Sequence, residues 1–358
     1  MAGMRELVEE MVSRGASDLH LAAGLPPQYR IDGQVISTDL PVLTGDDTLR
    51  LAYSVLNEEQ RKRYENEKEL DLSFGVQGIS RFRANVFQQR GVTSMAIRQI
   101  PYEIMSFDQL GLPPVCRELI NRNQGLILVT GPTGSGKSTT LATMVDTLNQ
   151  VRKGHIITIE DPIEFVHQHK NCIVNQREVN SDTLGFTAAL KYVLRQDPDV
   201  ILIGEMRDKE TIGAALTIAE TGHLALATLH TNSTFESINR IVDVFPPEQQ
   251  SQVRSQLSFS LAGVITQQLI PRQRGAGRGL ALEIMVCTPA IKSMIRDDKV
   301  HQIYGVMQAG QKYGMQTMNQ SLYHACVNKW ISMEQALGRS SDPNELEQML
   351  GEPVGAGK

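Results

Sequence analysis

The 358-residue chain has only four cysteines, Cys116, Cys172, Cys287 and Cys326, set far apart and with no C-x-x-C pair. That spacing excludes a disulfide framework and a thiolate zinc site, and leaves reduced thiols as the expectation. No apolar stretch approaches the roughly 20 residues that a membrane span needs. The N-terminus carries Glu6, Glu9 and Glu10 in place of an apolar signal core, so export is not expected. Basic charge is not in excess either. The 35 Lys and Arg against 40 Asp and Glu give a net charge of −5, which provides no global field for nucleic acid. What remains is a chain with 41% apolar and 21% charged residues, the balance of an ordinary globular protein. It is expected in the cytoplasm, with any membrane contact made through a protein partner.

The length suits two domains. Met4, Leu7, Val8, Met11 and Val12 recur at helical spacing, so the chain opens on an amphipathic helix that Gly15 ends. Ser17–Leu21 and Pro26–Gly33 read as strands, 46–67 as one charged helix, and 70–100 as antiparallel strands turning at Gly75, Gly78 and Gly91. This predicts a small α+β domain over residues 1–100. Residues 101–114, with three prolines and Gly111, read as a linker. Strands are predicted at 125–130, 155–160, 199–204 and 224–230, with helical segments between most of them. That alternation indicates an α/β domain over 115–350 with a mainly parallel sheet. From Ser251 the pattern is mostly helical apart from a hairpin near 264–285, and the tail 351–358 reads as flexible.

The strongest local signal is Gly131-Pro132-Thr133-Gly134-Ser135-Gly136-Lys137-Ser138-Thr139, which fits G-x-x-x-x-G-K-[ST], a phosphate-binding loop. Its context is right. Gly125–Thr130 is an apolar strand, and 139–151 reads as a helix with Leu141, Met144, Val145 and Leu148 on one face. Glycines let backbone N–H groups close around phosphates, and a helix N-terminus adds partial positive charge. Lys137 can reach the outer phosphates of ATP, and the Ser138 hydroxyl can hold Mg²⁺.

Two further strands end in acid. His155–Glu160 runs into Asp161-Pro162-Ile163-Glu164, and Asp199–Gly204 into Glu205. A hydrolase needs a carboxylate to orient the attacking water and another to hold Mg²⁺ or its water shell. Glu160 and Glu205 are the candidates, and sequence alone does not rank them as base and metal partner. His223 and His230 flank the strand between them. No thiolate or carboxylate stands at ligand spacing, so a zinc site is not expected, and His230 at the strand end could sense a γ-phosphate. Arginine could supply charge to a hydrolysing triphosphate. Arg81 and Arg83 alternate onto one face of a strand, and Arg98 lies in another. Arg195, Arg207 and Arg240 are weaker candidates in the second domain.

Together these motifs resemble those of the secretion ATPase superfamily, and within it the retraction motors of type IV pili. The resemblance runs from Gly15-Ala16-Ser17-Asp18-Leu19-His20-Leu21 through the phosphate loop and the acidic box Thr158–Phe165. It continues through Gly204-Glu205-Met206-Arg207-Asp208 and Thr221-Gly222-His223 to His230-Thr231. It implies a PAS-like N-terminal domain and a RecA-like ATPase domain with a helical C-terminal part, working as a homo-hexameric ring. It implies Glu160 as catalytic glutamate, Glu205 as Walker-B acid, and His223 and His230 as a histidine box. Arg83 and Arg98, with Arg81, are the implied arginines of the first domain. Ala290–Asp297 is similar to a helix that retraction motors carry as A-I-R-N-L-I-R-E, departing at Lys292, Ser293, Met294 and Asp297. Extension motors usually carry a longer N-terminus and a four-cysteine metal site, so retraction is the expectation. The implied partners are an inner-membrane pilus platform protein and a second retraction ATPase, placing the ring peripherally at the inner membrane. The alternatives are an extension or secretion ATPase of the same superfamily, or a nucleotide-binding modulator of a companion motor.

Overall fold

The computed structural model describes residues 2–100, 103–273 and 277–351. Contacts divide the chain into two compact units, Met1–Glu103 with Glu164–Val166, and Ile104–Ile163 with His167–Lys358.

The first unit begins with α1 (Met4–Ser13), whose Met4, Leu7, Val8 and Met11 are buried. Then come β1 (Asp18–Leu21), β2 (Gln28–Ile31), β3 (Gln34–Ser37), α2 (Gly45–Tyr53), α3 (Glu58–Glu67), β4 (Glu69–Val76), β5 (Ser80–Gln89) and β6 (Val92–Ile100). The predicted single helix over 46–67 is two. Asn57 caps α3 by accepting from the Gln60 N–H while the Gln60 side chain returns to Asn57, and that local box breaks the run. Gly75 sits inside β4, so only Gly78 and Gly91 mark turns. The strands form one sheet in the order β3-β2-β1-β6-β5-β4. Period-two alternation buries Leu19, Leu21, Tyr29, Phe82, Ala84, Val86, Met95 and Ile97 with residues of the three helices. The other face carries the polar partners of that alternation.

The second unit does not begin with a free linker. Pro101 lies outside the described residues, but Ser106 caps α4 (Phe107–Leu110), and Pro114 opens α5 (Pro114–Ile120). Phe107 and Leu112 are buried against α5 and α6 residues, because two large apolar side chains gain more by packing than by hydration. β7 (Gly125–Thr130), α6 (Lys137–Val151), β8 (His155–Glu160), β9 (Ile173–Glu178), α7 (Phe186–Val193), β10 (Val200–Ile203), α8 (Lys209–Glu220) and β11 (Leu224–Leu229) follow. After them come α9 (Thr234–Asp243), α10 (Pro247–Ser260), β12 (Leu261–Pro271), β13 (Arg278–Val286) and α11 (Pro289–Arg296). The chain ends with α12 (Ile303–Gln308), α13 (Met318–Val327), α14 (Met333–Leu337) and α15 (Pro343–Gly351). Beyond Gly351 the tail lies outside the described residues.

The sheet order is β13-β12-β7-β11-β10-β8-β9, parallel except for the β12–β13 pair. Strand β9 has no counterpart among the sequence-predicted strands, because its Asn175, Gln176 and Arg177 lack an apolar alternation. The sheet is covered on both faces. Ile127, Val129, Leu202 and Leu226 pack with α5 and α6, while Leu126, Leu128, Ile203 and Ala227 pack with α8–α11. Strands buried on both faces read as continuous apolar runs, which is why they were visible in sequence. The C-terminal helices α13–α15 cluster with Ile270 and Ala281 of the hairpin. Among the described residues no helix is long and apolar enough to cross a membrane.

Candidate active site

The site grows from the carboxyl ends of the parallel strands, where ligands of open α/β sheets bind. β7 delivers the chain at Thr130, and the loop 131–136 returns it into α6. The turn is possible because Gly131 has φ +137° and Gly136 φ +89°, values that L side chains rarely adopt. A side chain at Gly131 would also collide with the Gln267 carbonyl oxygen. Gly136 is the residue preceding the helix, so the loop's last N–H groups and the α6 N-terminus share one concavity. Lys137 is only 9% exposed, and its ammonium donates to the Gly131 and Pro132 carbonyls at 2.8 and 3.1 Å. Burial pulls its pKa below the usual lysine value, and the nearby Glu205 charge opposes the shift. A buried cation whose hydrogen-bond partners among the described residues are carbonyls is poised for an anion. Pro132, Thr133 and Gly134 form the exposed rim, Ser135 is buried, and Ser138 and Thr139 stand in the first turn of α6.

Glu205 follows β10, which β11 separates from β7. Its carboxylate accepts from Arg207 at 2.6 Å and lies 3.4 Å from His230 Nε2. The Arg207 hydrogen bond holds Glu205 below the usual carboxylate range against the opposing effect of burial. Lys137, Glu205, Arg207 and His230 are thus one electrostatic group. A cavity of about 450 Å³ opens beside it, lined by Glu205, Arg207, His230, Glu236 and Arg240 among others. Arg207 and Arg240 therefore border the site, although the sequence favoured them less than the arginines of the first unit.

Two further candidates stand apart from the loop. Glu160 does not stand on a strand adjacent to the phosphate loop, since β11 and β10 lie between β8 and β7. It still ends β8 on the face that carries α6, because alternation from Ile156 through Thr158 puts it there. Its carboxylate accepts from the Thr158 hydroxyl at 2.6 Å and from Gln176 of β9 at 3.3 Å. His223 precedes β11, at the opposite end of that strand from His230 and the loop. Its ring nitrogen meets Thr221 Oγ1 at 3.2 Å and the Ile218 carbonyl at 3.3 Å, and its own carbonyl accepts from the Gly125 N–H. Six strand residues span close to 20 Å, so the two histidines cannot share one phosphate in this unit.

In the first unit the register places Arg83 directly across from Arg98, Arg98 across from Asp18, and Asp18 across from Arg30. Asp18 is buried; it accepts from Arg98 at 2.7 Å and lies 3.7 Å from Arg30. Burial raises its pKa, but hydrogen bonds from Ser17 and Arg98 outweigh that and hold it below the usual value. Arg81 and Arg83 share that polar face, with Phe82 between them buried on the other side. One carboxylate thus joins Arg98 and Arg30, which sequence spacing alone did not connect.

For Mg²⁺ the donor chemistry fits. The Ser138 hydroxyl and Glu205 carboxylate are hard oxygen donors, the kind Mg²⁺ takes in ones and twos when phosphates and water complete its shell. Among the described residues no three His, Cys, Asp or Glu side chains group into a metal cage of their own.

Glu283 is a residue that sequence reasoning missed. It lies on β13, 3% exposed, and accepts from the Thr234 N–H at 2.7 Å and the Met318 N–H at 3.4 Å. One carboxylate so caps α9 and α13, and it fixes the chain just beyond His230. Burial raises its pKa, and the Thr234 and Met318 N–H groups resist the rise. The folded protein then holds this proton to higher pH than the unfolded chain does. The stabilisation is complete below the ordinary glutamate value of about 4.3 and is lost as pH rises through the folded value. The melting-temperature advantage of wild type over Glu283→Gln should therefore shrink as pH rises above the ordinary glutamate value. A flat difference would show that Glu283 does not titrate in the fold.

Residues 2–337 match the family described as type II/IV secretion system protein. The chain is 51% identical to the type IV pilus retraction ATPase PilT of Pseudomonas aeruginosa, over 95% of this chain and 99% of that one. It is 41% identical to the type IV pilus ATPase PilU of the same species, over 96% and 90%. A crystal structure of the pilus retraction motor PilT with bound ADP superposes with a TM-score of 0.91 at 53% identity, covering 97% of this chain and all of that one.

Proposed function

The chain belongs to the type II/IV secretion system family, and from that premise we propose that it is the ATP-hydrolysing motor of type IV pilus retraction and twitching motility. The observation that carries this reading is the end-to-end likeness to a retraction motor, joined to a phosphate loop whose Lys137, Glu205 and His230 converge. In this reading ATP and Mg²⁺ bind at Gly131–Thr139, with Ser138 and Glu205 toward the metal. Glu160 is the base that orients the attacking water. His230 senses the γ-phosphate, and Arg83 and Arg98, with Arg81, supply positive charge from the first unit. His223 is left to a role outside that set.

The first unit is the PAS-like domain and the second the RecA-like motor. Copies assemble as a homo-hexameric ring on the cytoplasmic side of the inner membrane, against a platform protein and beside a second retraction ATPase. ATP binding and release change the relation of the two domains of each subunit, a ligand-driven domain motion of the ordinary kind. No specific nucleic acid is expected as a partner. Deleting the gene in its host, then imaging surface pili and scoring motility, tests the reading. Abundant pili without twitching are expected. A bald surface would instead assign the chain to extension or assembly.

A further inference from the structure

The phosphate loop is bounded on its far side by β12, the strand that pairs with β7 up to Thr266 opposite Thr130. The next residue of β12, Gln267, is level with the start of the loop and is fully buried. Its side-chain Nε2 donates to the Ser135 carbonyl at 2.7 Å. Its main-chain carbonyl occupies the space where Gly131 would carry a side chain, and its Nε2 stands 3.2 Å from the corresponding position at Gly136. One residue therefore meets both the beginning and the end of the loop. The amide orientation is fixed by chemistry, since the reverse would set Oε1 against the Ser135 oxygen.

We propose that Gln267 is a positioning residue of the nucleotide site, holding the Ser135–Gly136 peptide so that the Gly136 N–H points into the loop. The reason is peptide geometry. In a planar trans peptide the C=O and the following N–H point in opposite directions. Drawing the Ser135 C=O toward β12 aims the Gly136 N–H away from β12, toward the concavity where phosphate oxygens are received. Packing alone does not account for an amide here. Gln267 Oε1 is buried without a hydrogen-bond partner among the described residues, so an apolar side chain of the same length would fill the site at lower cost.

The proposal rests on the reading of Gly131–Thr139 as the nucleotide loop. The test is Gln267→Met, which keeps length and volume but cannot donate. Two quantities are measured on the full-length protein: ADP affinity, and the melting temperature without nucleotide. ADP affinity should fall about tenfold, the order expected for losing one preorganised N–H contact to a charged phosphate. The nucleotide-free melting temperature should stay within about 2 °C of wild type or rise, because the lost Ser135 bond is offset by removing a buried unpaired acceptor. Unchanged affinity would overturn the proposal. So would a parallel fall of affinity and melting temperature, or failure to fold, since each would mark Gln267 as structural. Lys137→Ala serves as the control. If it binds ADP normally the loop reading itself fails, whereas loss of binding with Gln267→Met intact rejects only the role of Gln267.

Discussion

Lys137→Ala is expected to abolish measurable nucleotide binding while leaving the fold intact. The Nζ of Lys137 is nearly buried, and its only hydrogen-bond acceptors among the described residues are the Gly131 and Pro132 carbonyls. Burial disfavours its charge in the free protein. Removing the ammonium therefore relieves the nucleotide-free state rather than damaging it, and the melting temperature should hold or rise. The bound state loses a cation that would face phosphate oxygens. Two charge-assisted hydrogen bonds at about 1.5–3 kcal/mol each amount to roughly a hundredfold or more in affinity. Calorimetric titration with ADP, beside a melting curve of the same preparation, reads both quantities. Binding at wild-type strength would overturn the reading of Gly131–Thr139 as the nucleotide loop.

Glu160→Gln is expected to bind ATP within about threefold of wild type yet to lower turnover by about 10²–10⁴, the usual contribution of a positioned general base. The substitution is mild on structure. The amide oxygen can still accept from the Thr158 hydroxyl, now 2.6 Å from the carboxylate. What it loses is basicity. Single-turnover hydrolysis by the purified protein separates this from a binding defect. Undiminished turnover would remove Glu160 as the base. Glu205, already drawn into one group with Lys137, Arg207 and His230, would then be the acid at hand.

The legible parts of the chain were those whose signal is local. The parallel strands are buried on both faces, so β7, β8, β10 and β11 announce themselves as mainly apolar runs. The phosphate loop is a contiguous string whose glycines are demanded by backbone conformation at Gly131 and Gly136. The break between α2 and α3 was equally local, but Asn57 and Gln60 lie in a run so charged that their capping box passed as helix interior. The segment before α5 misled in the other direction. Its prolines suggested a linker, whereas Phe107 and Leu112 tie it into a core whose other members lie far along the chain.

The sequence by itself determined the loop, the strand–helix alternation and the set of residue types able to hydrolyse a nucleotide, because each depends on neighbours within one turn or one strand. Tertiary structure alone decided which of them meet. Strand order is fixed by how helices cover a sheet, and it put β11 and β10 between Glu160 and the loop. Cross-strand register brought Asp18 to Arg98 across 80 residues, and the pairing of β12 with β7 carried Gln267 to Ser135 of the loop across 132. Such contacts arise only when distant segments share a sheet, where a buried polar group must find its partner or bear the cost of having none.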